Sequence, residues 1–196
     1  MHPNMKPVGL ALSLIAALLT PGCGPLTDPG DWKASVARQV NQLGYRNWIV
    51  IAEASFPAHN RPGFRQVNAS AEIPEVVDYV LNSIEQNQHV RPRVYLTREL
   101  RAVENDFAPG IDELRSQVKA SLHGHEPTEL DQQSLITLLE SANQSFDVLV
   151  IRTPTALPYS SVFMELQPGY WDAESEERLR QRISRERMER LAPPGM

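Results

Sequence analysis

A carboxylate standing at the end of a buried strand is the residue in this chain best placed for chemistry. Trp48-Ile-Val-Ile-Ala52 is a short unbroken apolar run rich in β-branched residues, which suits a strand covered on both faces, and Glu53 follows it directly. In open α/β sheets, polar groups at the carboxyl ends of strands face the crevice where ligands bind, so Glu53 is the first candidate. A charged residue in that place also serves simply as the exit to solvent, and spacing alone does not separate the two readings. Phe56 to Ala69 reads as a polar loop with Pro57, Pro62 and Gly63, long enough to be functional. His59, Asn60 and Arg61 within it could meet ligand hydroxyls, although an exposed loop carries such residues by default. A second strand, Val148 to Arg152, runs through the Pro-punctuated turn Thr153 to Pro158 into Tyr159-Ser-Ser161. His123-Gly-His125 is a weak metal signal, since no spaced Cys or carboxylate set accompanies it, and no metal is expected. The chain shows neither a Gly-rich phosphate loop nor a nucleophile elbow, which sets nucleotide-binding and hydrolase readings behind the others.

The elements that must position these residues follow from periodicity. Asp31 to Leu43 begins with a capping acid and puts Val36, Val40 and Leu43 on one face, a helix that ends at Gly44 and delivers the strand. Ile73, Val76, Val77, Val80, Leu81 and Ile84 fall at helical spacing behind Pro74 and Glu75, which suit a first turn. Arg93 to Thr97 alternates as a further strand, and Arg98 to Asp106 reads as a short helix. After Pro109-Gly110, Ile111, Leu114, Val118 and Leu122 form the stripe of another helix. A helix is expected from a cap at Thr128, through Leu130, Leu135, Leu138, Leu139 and Ala142. The last strand is expected from Tyr159 through Leu166, with Pro168-Gly169 ending the domain. Tyr170-Trp171 is an aromatic pair expected to dock against the end of the sheet or border a pocket. Asp172 to Leu191 carries six acids and six Arg, with pairs such as Glu176 and Arg180 at helical spacing, and reads as a solvated helix.

Length and charge bound the class. At 196 residues there is room for one domain of ordinary size, and 41% hydrophobic with 22% charged residues are globular values. A formal charge of −5 without a basic block argues against nucleic acid as a partner. Val8 to Thr20 is an apolar run of thirteen residues after a short basic start. It is about 20 Å long as a helix, too short for a ~30 Å hydrocarbon core, so an export signal is expected over 1–22. The single Cys, Cys23, stands just beyond that run, where a bacterial lipoprotein signal carries its lipid-modified cysteine. Thr20 and Pro21 depart from the residues usual before such a cysteine, and a free Cys after an ordinary secretory signal is the alternative. The expected divisions are a tether over 23–32, a domain over 33–169 and a charged helical extension over 170–196. The protein is then expected in the cell envelope, held to a membrane by lipid on Cys23.

Two blocks carry a resemblance to a known family. Gly44-Tyr-Arg-Asn47 followed by Ile49-Val-Ile-Ala-Glu-Ala-Ser-Phe-Pro-Ala-His59 is similar to the Gly-His-x-Asp, apolar strand, Asp-Ala signature of the ribose pyranase and fucose mutarotase (RbsD/FucU) family. Val150-Ile-Arg-Thr-Pro-Thr-Ala-Leu-Pro-Tyr159-Ser-Ser161-Val-Phe-Met resembles the family's second block, which ends in Tyr-x-Asn. The resemblance covers roughly Lys33 to Gly169. It implies an α/β fold, a three-layer α/β/α RbsD-like single domain with a mixed sheet, and a homo-oligomer with pockets at subunit contacts. It also implies a monosaccharide partner such as ribose or fucose and no cofactor.

Carried over by position, the resemblance makes Tyr45 and Glu53 the catalytic candidates and Glu53, His59, Arg152, Tyr159 and Ser161 the sugar-binding ones. Tyr45 stands where the family has its proton-carrying His, Glu53 where it has the sugar-holding Asp, Ser161 at the Asn, and Asn47 at a second Asp. A tyrosine phenol ionises near pH ~10 and a histidine near ~6.5, so proton transfer at neutral pH should be less efficient with Tyr in that place. Opening a sugar ring needs one group to take the anomeric proton and another to protonate the ring oxygen. The substitutions therefore favour a retained sugar-sized cleft over retained catalysis, and a non-catalytic envelope scaffold that keeps the fold is the other reading.

Overall fold

The computed structural model describes residues 31–191. The export signal, Cys23, most of the tether and the end of the chain after 191 lie outside the described residues. One six-stranded mixed sheet, in the order β2-β5-β1-β6-β3-β4, organises the rest. Its central strand is β1 (Trp48–Ala52), every residue of which is buried. β1 pairs in parallel with β5 (Val148–Arg152) and antiparallel with β6 (Val162–Pro168).

The continuous apolar run of β1 has a physical cause in two cores. Ile49 and Ile51 join one with α1 (Trp32–Val40), α2 (Ile73–Glu85) and, beyond α3 (Arg98–Ala102), α4 (Ile111–Ser121). Trp48, Val50 and Ala52 point the other way, to Phe163 and to Leu135 and Leu139 of α5 (Gln132–Ala142). Helices therefore cover both faces, and the strand has no polar side to show. Sequence capping works as expected at α1, where Asp31 accepts from the Ala34 N–H at 3.0 Å.

Two short strands depart from the sequence reading. Phe64–Asn68, expected within a loop, is β2, an edge strand parallel to β5 with only Val67 buried. Its apolar signal is missing because an edge strand buries little, while its ladder to β5 is made by backbone alone. Thr128–Leu130, expected at the start of a helix, is β4, parallel to the end of β3 (Val90–Thr97). The helix cap is Asp131 instead, which accepts from the Ser134 N–H at 2.9 Å. β3 starts three residues before the expected Arg93, running through Pro92 where β4 supplies no partner. Tyr159 lies in the turn before β6 rather than in the strand, with φ at 59°.

Tyr170 and Trp171 stay exposed, at 81% and 40%, and of the two expected placements, docking on the sheet or bordering a pocket, Trp171 takes the second. α6 (Ala173–Leu191) follows them without burying a residue.

His123 ties the end of α4 to α2. Its Nε2 lies 2.8 Å from Asp78 and its Nδ1 3.2 Å from Glu85. Hydrogen bonds to Asp78, then to Glu85, raise its pKa above the ordinary histidine value. A raised folded-state pKa gives stability that is fully present below the unfolded value of about 6.5 and is lost as pH rises through the folded one. Urea unfolding between pH 5 and pH 9 should show stability falling over that window. His123→Ala should remove this pH dependence at a cost under about 1 kcal/mol, because the pair is open to solvent.

Candidate functional site

The carboxyl end of β1 meets the start of β6, and there Glu53 closes a polar cluster. Its Oε2 accepts from the Ser160 N–H at 3.0 Å, the Ser161 N–H at 3.3 Å and the Ser161 hydroxyl at 3.1 Å. The Glu53 N–H in turn donates to the Ser161 Oγ at 3.1 Å. Ser160 has one hydroxyl proton, and its shorter contact, 2.7 Å to the Leu157 carbonyl against 3.4 Å to Glu53, is where that proton goes. Both serines are buried, so this network satisfies donors that water cannot reach.

Oε1 is different. Among the described residues it accepts only from the exposed Ser55 hydroxyl, at 3.3 Å. One carboxylate oxygen is thus fixed in the protein and the other retains lone pairs for a further donor, an arrangement suited to holding a hydroxyl. Tyr159 belongs to the same turn through its backbone, the carbonyl accepting from the Thr97 hydroxyl at 2.8 Å, while its ring is exposed at 37%. Thr97 also lines a separate cavity of about 320 Å³, with Leu96, Leu100, Arg101, Arg115 and Glu129, to which Glu53, Ser160 and Ser161 contribute nothing.

The other sequence candidates are placed elsewhere or bound to backbone. Arg152, at the end of β5, donates to the carbonyls of Ala54 at 3.3 Å and Phe56 at 2.7 Å. Through these two bonds the guanidinium braces the loop after β1, while its buried Nε has no partner among the described residues. His59 stacks on Phe64, centroids 4.1 Å apart and 11° from parallel, and burial lowers its pKa. Tyr45 is 60% exposed and precedes β1, whereas Glu53 follows it. Five strand residues, about 16 Å, separate the two ends, so one chain does not bring the phenol to the carboxylate. Tyr45 instead borders a cleft of about 340 Å³ with Arg91, Trp171, Glu176 and Arg180. Asn47 closes the turn before β1, accepting from the Gly44 N–H at 2.7 Å.

Sequence reasoning missed Ser160, Ser55 and Thr97. Ser160 stood inside the second block, and the Ser-Ser pair after a Pro-rich turn was the available signal; nothing local marks Ser55 or Thr97. Among the described residues no group of three His, Cys, Asp or Glu is placed to hold a metal. His123 shows why: its two ring nitrogens face opposite ways, and each already meets a carboxylate.

No family model matches the chain, and no curated protein is similar to it in sequence. Among solved structures, Bacillus subtilis RbsD complexed with D-ribose is similar over 67% of this chain and 90% of that one, with 17% identity and a TM-score of 0.50. The fold is RbsD-like. The fucose mutarotase from Streptococcus pneumoniae in complex with L-fucose aligns over 71% of this chain and 96% of that one, at 15% identity and a TM-score of 0.48. At 17% identity the RbsD-like architecture is what the first likeness establishes.

The bracing role of Arg152 is testable by stability. Arg152→Lys keeps the charge but cannot donate to both carbonyls in one plane, and should lower the unfolding free energy by about 1–3 kcal/mol in urea titration. An unchanged midpoint would show that the two carbonyls find other donors.

Proposed function

We propose that this protein binds a monosaccharide at the carboxyl edge of β1, with Glu53 as the residue that holds a sugar hydroxyl. The observation that carries the reading is the divided carboxylate, with Oε2 locked by Ser160 and Ser161 and Oε1 open beyond Ser55. An oxygen held still before a ligand arrives loses little freedom on binding, which is how a weak hydrogen bond becomes useful. The RbsD-like fold supports the reading, since the RbsD neighbour was solved with D-ribose.

Binding is favoured over catalysis in a single chain. Ring opening needs a matched acid and base, and Tyr45 lies at the far end of β1 from Glu53. If Tyr45 takes part, a second copy of the chain must bring it. Export and lipid attachment at Cys23 remain part of the proposal, resting on the apolar run before it.

A scaffold without sugar binding is the second reading. It is favoured by Arg152, whose guanidinium is engaged with backbone carbonyls rather than directed to a ligand.

Magnetisation-exchange NMR of D-ribose and L-fucose, with line broadening as the binding readout, separates the two. The wild type should bind at least one of them, and Glu53→Ala should weaken that binding at least about tenfold, the loss of one charge-assisted hydrogen bond. Binding without accelerated exchange, followed by exchange in Tyr45→His, would place the deficit in the proton carrier. Absence of binding to either sugar contradicts the proposal and leaves the scaffold.

A further inference from the structure

Among the described residues, α6 buries no side chain against the rest of its chain and only borders, through Glu176 and Arg180, the cleft beside Tyr45. It runs for 19 residues without a buried side chain, and Leu179 and Ile183 stand 41% and 54% exposed on one face. A helix polar nearly all round needs either many internal ion pairs or something to lie against. Pairs such as Glu176 with Arg180, at 2.7 Å, supply the first in part.

The distribution of charge points to what lies against it. Residues 172–177 hold four acids and no base, while residues 178–191 hold six Arg and two Glu. Along the face of Leu179 and Ile183 the spacing is 4-3-4-3-4, through Asp172, Glu176, Leu179, Ile183, Glu186 and Arg190. This is heptad spacing with two apolar residues at its centre, two acids at one end, and Glu186 with Arg190 at the other.

We propose that α6 pairs antiparallel with α6 of a second copy of this chain, about a two-fold axis near Gln181. In that register Leu179 of each copy meets Ile183 of the other, and Asp172 meets Arg190. Glu176 lies on the same flank as Arg187 of the second copy. The one like-charge pairing in the seam is Glu176 against Glu186, each of which has an arginine four residues on, Arg180 and Arg190. A parallel pair would instead set Asp172, Glu176, Glu186 and Arg190 each against its own copy, four like-charge contacts where the antiparallel pair has two. An isologous two-fold contact also closes on itself and leaves no open end.

Sedimentation velocity of the full chain across concentration and salt tests this. The wild type should self-associate, more weakly as NaCl rises. Leu179→Asp with Ile183→Asp should abolish the step that depends on α6, and Arg187→Glu with Arg190→Glu should weaken it at least about tenfold. Arg185→Glu, on the far side of the helix, should leave it unchanged. These sites are exposed, so circular dichroism should report an unchanged fold in every variant. The proposal is overturned by a mass that ignores both double variants, by equal weakening in Arg185→Glu, or by a monomer that co-sediments with anionic lipid vesicles instead.

Discussion

Two charged side chains at neighbouring strand ends cross-brace the carboxyl edge of the sheet, and the edge depends on both. Glu53 leaves β1 and grips the turn that enters β6. Arg152 leaves β5 and grips the loop that follows β1. Each side chain thus satisfies backbone groups of the connection beside its own. The constraint arises because Ser160 and Ser161 are buried just before the ladder between β6 and β1 begins, at Val162 opposite Ile51. Their N–H groups have no strand partner there, and an unsatisfied buried donor costs about 1–3 kcal/mol.

This origin shapes what the site can do. Because Oε2 is engaged in holding the fold, the carboxylate offers one oxygen, in one orientation, to anything outside. That suits recognition of a hydroxyl better than abstraction of a proton, which would also require a group to return one. The chain separates the residues that would complete such a pair, putting Glu53 and Tyr45 at opposite ends of β1.

How much of this was legible in the sequence follows from where each signal resides. β1, α2, α4 and β5 could be read because burial on defined faces imposes periodicity on their own residues. β2 and β4 could not, because short edge strands bury few side chains and are specified by the neighbour they pair with. Glu53 was legible from its position after an apolar run. The tasks of Arg152 and Asn47 were not, since Arg152 reaches carbonyls 96 and 98 residues away, and Asn47 also donates to the Asp147 carbonyl. A side chain that resembles a ligand group in sequence can prove to be bracing once the backbone it serves is seen.

The central claim is that a sugar hydroxyl meets the open oxygen of Glu53 at this braced edge. Two-dimensional amide NMR of the isotope-labelled chain during titration with D-ribose and with L-fucose tests it most directly. With at least one sugar, the account predicts saturable shifts confined to Glu53, Ser55, Ser160 and Ser161 and their sequence neighbours. A spectrum unmoved by both sugars, or shifts that gather at Tyr45 and Trp171 instead, would contradict it.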